Sequence, residues 1–200
     1  STHAVTYKGE YYDIRNLKLQ PKLPEQLQPD YYLSGSSDMA RSTAKRLGAK
    51  LIEYPEPQAD YLKSGRTNGQ AVRGIRIGIL ARSTHDEAWS DAHIRFPKVR
   101  MGELLHQMAV RTTDSEWHKT LSNQNGYDYN DKSVYWLGPF KQYHTFCPYL
   151  VGDYDEVARE LSGYLQTGCK TCILDIPVSE IDLKSTIQVF DQAFNFVENV

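Results

Sequence analysis

The chain has 200 residues and only three cysteines, Cys147, Cys169 and Cys172. An odd and sparse set is no disulfide framework, and it points to a reducing, cytoplasmic setting. No segment approaches the roughly 20 consecutive apolar residues that span a bilayer. The N-terminal residues lack the charged-then-apolar pattern of a secretory leader. The formal net charge is only -2, so the basic field that binds nucleic acid through its phosphates is missing. Cys169-Lys-Thr-Cys172 has CxxC spacing but no second pair to complete a zinc site. It runs into the apolar Ile173-Leu-Asp-Ile176, so small buried residues entering a strand are expected there. No two histidines stand at metal-ligand spacing, and no metal is expected. A GxSxG nucleophile elbow is absent, and so is a repeat at a solenoid period.

What is present alternates. Residues 6–14 alternate around a glycine, as in a short hairpin, and a proline-bearing connector follows. Strands are expected near 31–34, 50–54, 74–81 and 171–176. The first helix should bury Met39, Ala40, Thr43, Ala44 and Leu47 and end at Gly48. Residues 58–73 are polar and weakly patterned. Thr84-His-Asp-Glu87 reads as a capping box opening a helix through Ala88, Trp89 and Ala92. Met101, Leu104, Leu105 and Met108 form another amphipathic stripe. Residues 122–133 read as a mobile loop, and 134–150 as an aromatic, irregular stretch. Asp153 caps a helix with Val157, Leu161, Tyr164 and Leu165 inward, ended by Gly168. A final helix carries Leu183, Ile187, Phe190, Phe194 and Val197 on one face. Strands alternating with helices define an α/β fold with parallel strands.

Three segments have chemical potential. Ser34-Gly-Ser-Ser-Asp38 joins a strand to a helix. The unpaired N–H groups of a first helical turn and the helix dipole favour an anion there, and Gly35, Ser36 and Ser37 suit a phosphate. A plain helix cap is the alternative. Arg76 is a charge inside an apolar strand, so it faces a polar cavity, meets a carboxylate or reaches solvent. Alternation puts Arg76, Gly78 and Leu80 on one face, with open space expected beside Arg76 at Gly78. The stretch from Tyr135 to Tyr149, holding Lys141, His144 and Cys147, is either an active-site lid or an aromatic-packed loop.

Four separated strings agree with one family. Tyr32-Leu-Ser-Gly-Ser-Ser-Asp38, Glu53-Tyr-Pro-Glu-Pro57, the run from Gly74 to Trp89, and Leu150-Val-Gly152 before a helix resemble the bacterial luciferase-like flavin-dependent monooxygenases. The alkanesulfonate monooxygenases are the most similar subgroup. The Tyr-Trp-Leu and Thr-Phe-Cys-Pro-Tyr-Leu-Val-Gly strings resemble the branch found beside peptide and polyketide biosynthesis enzymes. The resemblance implies a (β/α)8, TIM-type barrel that takes reduced FMN from a separate NAD(P)H-dependent flavin reductase. With O2 and through a peroxyflavin, such an enzyme oxygenates a small organic or carrier-bound substrate. It implies flavin-binding roles for Ser34, Gly35, Ser36, Ser37 and Tyr54, and catalytic roles for Arg76, Tyr143 and His144.

The departures are specific. The sulfonate enzymes carry a histidine where Gly78 stands, Tyr143 replaces an arginine of their mobile loop, and their late tyrosine has no counterpart near Ile176. The resemblance covers residues 1–200 as about the last four β/α units. It places Ser1 in the connector before the fifth strand, with the N-terminal half of the barrel outside this chain. The expected partner is that half-barrel or a second copy of this chain. The alternative is a non-catalytic, flavin-binding or structural half-barrel that oligomerises.

Overall fold

The computed structural model describes residues 3–198, apart from 19, 22, 64–72, 125 and 127–130. The chain divides into two units at Tyr31. The first holds the expected hairpin, β1 (Val5–Lys8) antiparallel to β2 (Asp13–Leu17), with Tyr7 opposite Ile14. A short 3-10 turn at Glu25–Leu27 follows.

The second unit holds β3 (Tyr32–Ser34), α1 (Asp38–Leu47), β4 (Lys50–Glu53), α2 (Gln58–Lys63) and β5 (Arg73–Arg82). Next come α3 (His85–Arg95), α4 (Arg100–Thr112), α5 (Glu116–Asn123), β6 (Tyr135–Trp136) and α6 (Gly138–Lys141). It closes with β7 (Tyr149–Asp153), α7 (Tyr154–Gln166), β8 (Cys169–Leu174) and α8 (Glu180–Glu198).

The four expected strands are all present and parallel. Leu33 lies opposite Leu51, Ile52 opposite Gly74, and Arg76 opposite Ile173. A fifth parallel strand adds to them: β7 pairs with the second half of β5, Leu80 opposite Val151, and β6 runs antiparallel to β7. The stretch 134–150 is therefore ordered core rather than irregular coil. Tyr135, Trp136, Leu137 and Phe140 are buried. Its strands are too short, and too close to Pro139 and Pro148, for a period-2 signal to show.

β5 is the axis of the sheet. Ile75, Ile77 and Leu80 are fully buried, as a strand covered on both faces requires. The helix α2 is a single short helix inside the stretch expected to be unpatterned, and alone it would be marginal. Burial of Tyr61 secures it, a side chain worth about 1.5–3 kcal/mol when buried. The remainder of that stretch, 64–72, lies outside the described residues, as does most of the expected 122–133 loop.

Three expected apolar faces are corrected. On α1 only Ala44 is buried, while Met39 is 74% and Leu47 60% exposed. Met101, Leu104, Leu105 and Met108 all lie on the exposed side of α4, which buries His106 instead. On α8 the buried face is Asp182, Ser185, Thr186, Val189 and Ala193, and Leu183, Ile187 and Phe194 point outward. Small residues let a helix lie close to its neighbours, so the packed face here is not the most hydrophobic one.

The caps behave better. Gly48 ends α1 in the left-handed region. Asp153 opens α7 with a full capping box, its carboxylate accepting from the Glu156 N–H while Glu156 accepts from the Asp153 N–H. The box expected at Thr84 is half made. Thr84 accepts from the Glu87 N–H, but the Glu87 carboxylate takes the Ser83 hydroxyl.

Candidate flavin and substrate site

Sheet register assembles this site. Glu53 lies opposite Ile75, so Tyr54 follows at the level of Arg76. Leu174 lies opposite Ile77, so Asp175 follows at the level of Gly78, and Tyr149 lies opposite Gly78 on the other pairing. Alternation then brings Tyr54, Arg76, Ile173, Asp175 and Tyr149 to one sheet face, near the C-terminal ends of parallel strands.

The side chains meet there. Arg76 Nη2 lies 3.7 Å from Asp175 Oδ1, and Tyr54 is among the neighbours that favour the Arg76 charge. The Tyr149 hydroxyl donates to Asp175 Oδ2 at 3.1 Å. Burial works against the Arg76 charge, but Tyr54, Cys147 and Asp175 outweigh it and raise its pKa. Burial and the Asp175 charge push the Cys147 thiol and the Tyr149 phenol far up. Both therefore stay protonated at neutral pH. The open space expected at Gly78 is filled: a Cβ there would lie 2.3 Å from the Tyr149 ring. The ring occupies the side-chain volume that the glycine vacates.

The turn between β3 and α1 carries Ser34, Gly35, Ser36 and Ser37 together. Ser37 is the N-cap of α1, its Oγ accepting from the Ala40 N–H at 3.1 Å. The Gly35 N–H donates to the Ile52 carbonyl at 3.2 Å, which ties the turn to β4. Both readings of this segment hold in part. Ser37 is a cap, and Ser36 lines a cavity of about 100 Å³ with Tyr54, Glu56, Glu116, Trp117, Thr120 and Leu121. Trp117 stacks on Tyr54 with ring centroids 3.8 Å apart. The cavity thus bridges the expected phosphate turn and Tyr54, which stands at the level of Arg76 on the sheet.

Tyr143 and His144 stand elsewhere. Tyr143 adopts a positive φ of 60° and meets Phe146 edge-on. His144 Nε2 faces the Pro97 carbonyl at 3.1 Å, and its ring touches Phe96. Phe96 packs on Tyr149, so His144 borders the cluster at one remove. The structure gathers Asp175, Tyr149, Cys147 and Trp117 in their place. Asp175 carried the same signal that exposed Arg76, a charge closing an apolar strand. Nothing in the local pattern marked Trp117.

The cysteines are free; Cys169 and Cys147 are buried and Cys172 is half-buried. Cys169 and Cys172 sit in β8 as small strand residues. Among the described residues no group of three or more His, Cys, Asp or Glu is arranged to hold a metal ion. No helix among them is long and apolar enough to cross a membrane.

A parallel β/α sheet with a polar cluster at the strand ends is the arrangement found in TIM-type barrels. The solved structures agree. A long-chain alkane monooxygenase (LadA) superposes with a TM-score of 0.56 at 18% identity over 98% of this chain and 47% of its own. DmoA from Hyphomicrobium sulfonivorans gives 0.60 at 13% identity, over 97% and 47%. No family model matches the chain. The 4-(gamma-L-glutamylamino)butanoyl-(BtrI acyl-carrier protein) monooxygenase BtrO of Niallia circulans is 34% identical over 186 residues, 91% of this chain and 54% of the relative. In sequence and fold the chain resembles the luciferase-like flavin monooxygenases over about half of their length. It spans about half the length of the curated relative that it matches.

Proposed function

We propose that this chain contributes the flavin-phosphate turn and the Arg76 cluster of an FMNH2-dependent monooxygenase. The observation that carries this reading is a cavity joining Ser36 to Tyr54, which stands at the level of Arg76 on the sheet. The β3–α1 turn fits a flavin phosphate, whereas Glu56 and Glu116 on the same cavity wall do not contribute to holding it. The first turn of α1 offers backbone N–H groups, Ser36 faces the cavity, and the Ser37 hydroxyl keeps its proton to donate while its oxygen caps the helix. Reduced flavin, when bound, supplies the electrons that activate O2. Tyr54 orients Arg76, and Arg76 holds the polar part of the substrate. Phe96 and Tyr149 close the side of the cluster away from the cavity.

The substrate is a small organic or carrier-bound acyl compound, the kind of molecule in the name of the carrier-protein monooxygenase of Niallia circulans. FMN is reduced at the expense of NAD(P)H by a separate cytoplasmic flavin reductase. The open side of the sheet is covered by further barrel strands, from the N-terminal half of the same barrel or from a second copy. Ile173 supports this: it shares the face of Arg76 and is 41% exposed.

The test is titration of the complete polypeptide with oxidised FMN, followed by turnover under labelled O2 with a flavin reductase present. Expected are FMN binding and incorporation of one labelled oxygen into an acyl substrate. Failure to bind FMN overturns the reading. A second reading, a non-catalytic module, is favoured by the outward Leu183, Ile187 and Phe194 of α8. Oxygenated product removes it.

A further inference from the structure

Arg76 and Asp175 face the same open side of the sheet, with side chains 35% and 22% exposed. Their 3.7 Å separation makes an ion pair but is too long for a hydrogen bond. Each keeps hydrogen-bonding capacity for a third group. Asp175 does not swing freely, because the Tyr149 hydroxyl holds its Oδ2 and Tyr149 is seated on Gly78. Its other oxygen is therefore a fixed acceptor beside a fixed donor.

Charge decides what such a pair takes. A sulfonate or carboxylate approaching Arg76 meets the Asp175 charge at nearly the same distance, and repulsion cancels most of the attraction. Cys147 and Tyr149 stay protonated, so neither adds a charge to that balance. An amide is neutral and presents a carbonyl acceptor and an N–H donor side by side. Arg76 can donate to the first while Asp175 accepts from the second. A site whose polar groups are paired by the right ligand disfavours ligands that cannot pair them.

We propose that Asp175 is a specificity-determining residue: with Arg76 it forms an acceptor–donor pair that takes an amide of a neutral acyl substrate and turns away free sulfonates and carboxylates. This rests on the monooxygenase reading only in placing the substrate at Arg76. The pair also separates this chain from a site built around an uncompensated arginine, which would draw an oxyanion in.

Equilibrium binding tests it without turnover. The complete polypeptide is titrated calorimetrically, with oxidised FMN present, with S-butanoyl-pantetheine, a neutral thioester bearing amides, and with 1-octanesulfonate. The wild type should prefer the amide ligand by about tenfold or more. Asp175→Asn, which keeps the size and the Tyr149 contact, should lose most of that preference by gaining sulfonate affinity. Asp175→Glu should retain it. Equal binding of both ligands by the wild type, no binding of either, or an unchanged ratio in Asp175→Asn overturns the proposal. If Asp175→Asn does not fold, the wild-type ratio decides alone. Loss of FMN binding with the ligand preference intact would overturn the monooxygenase reading and leave this one standing.

Discussion

The Tyr149 ring lies directly over Gly78, so close that a Cβ on Gly78 would sit 2.3 Å from its Cε2 atom. No side chain fits both places. The glycine is what lets Tyr149 reach across β5 to Asp175, so a single missing methyl group sets the polarity of the site. Gly78→Ala should destabilise the fold by about 1–3 kcal/mol, as overpacking of a filled core does. Tyr149→Ala should absorb that cost, and the double variant should be far from additive. Denaturant midpoints of the four proteins check it. Additive effects would mean that the ring and the glycine do not compete for one space.

The two serines of the β3–α1 turn should separate. Ser37 caps α1 through the Ala40 N–H, so Ser37→Ala should cost about 1 kcal/mol. Ser36 lines the cavity and caps nothing, so Ser36→Ala should leave the thermal midpoint nearly unchanged and weaken FMN binding. Thermal melts beside FMN titrations read both. An Ser36→Ala variant with undiminished flavin affinity would remove Ser36 from the phosphate site.

Asp182, 3% exposed on α8, is clamped by Arg82 Nη2 at 2.9 Å and by Arg95 Nη2 at 2.8 Å. Arg82 also binds Asp91, so one carboxylate ties α8 to both β5 and α3. Burial pushes the Asp182 pKa up, but Arg95, Arg82 and Ser179 outweigh it, and the net shift is down. A depressed carboxylate contributes stability above its unfolded pKa and loses it as pH falls through the folded one. Stability should therefore drop on acidification below the ordinary aspartate range of about 4. Asp182→Ala removes the Arg95 ion pair and leaves Arg82 with Asp91 alone, and should cost about 3 kcal/mol at neutral pH. Urea titrations at several pH values test both, and a flat difference between wild type and variant down to strong acid would contradict the linkage.

His85 links α3 to the cap of α7, with Nδ1 2.8 Å from Glu156 Oε2 and Nε2 2.7 Å from the Asp131 carbonyl. The hydrogen bond to Glu156 leads the causes that raise its pKa, with burial opposing. A raised histidine stabilises fully below its unfolded pKa, about 6.5, and the effect disappears as pH rises through the folded value. The pair is a third exposed, so about 1 kcal/mol or less is at stake. His85→Ala should therefore be less stable than wild type in mildly acidic buffer and converge with it in alkaline buffer. A gap that widens with pH would refute the assignment.

Much of this was legible in residues. The parallel strands and the caps at Gly48 and Asp153 follow from local chemistry that tertiary packing rarely overrides. Arg76 was visible because a charge in an apolar strand needs a reason. Its grouping with Asp175, Tyr149 and Tyr54 was not, because these come from three strands and only register brings them together. The outward stripes of α4 and α8 fail for a different reason. Hydrophobic spacing shows that a helix has an apolar face, but which face this sheet accepts depends on small residues such as Ser185, Thr186 and Ala193. Tyr143 and His144 drew attention as polar groups in an aromatic stretch, yet that stretch is built around Phe140 and Trp136.

Gly102 gives the sharpest test of packing, because two effects there have opposite signs. It lies inside α4, where alanine in place of glycine ordinarily stabilises by up to about 1 kcal/mol. Here a Cβ would sit 2.2 Å from the Gln142 carbonyl oxygen, a backbone atom that cannot rotate away. The same Gln142 is buried and accepts from the Val99 N–H at 2.7 Å while donating to Glu103 at 3.1 Å. It thereby satisfies the first turn of α4, which has no side-chain cap of its own. Pushing the two segments apart would strain the cap as well as the contact. Gly102→Ala should therefore be destabilising by about 1–3 kcal/mol, against the helix propensity. A stabilised Gly102→Ala protein in chemical denaturation would show that α4 does not approach Gln142 so closely.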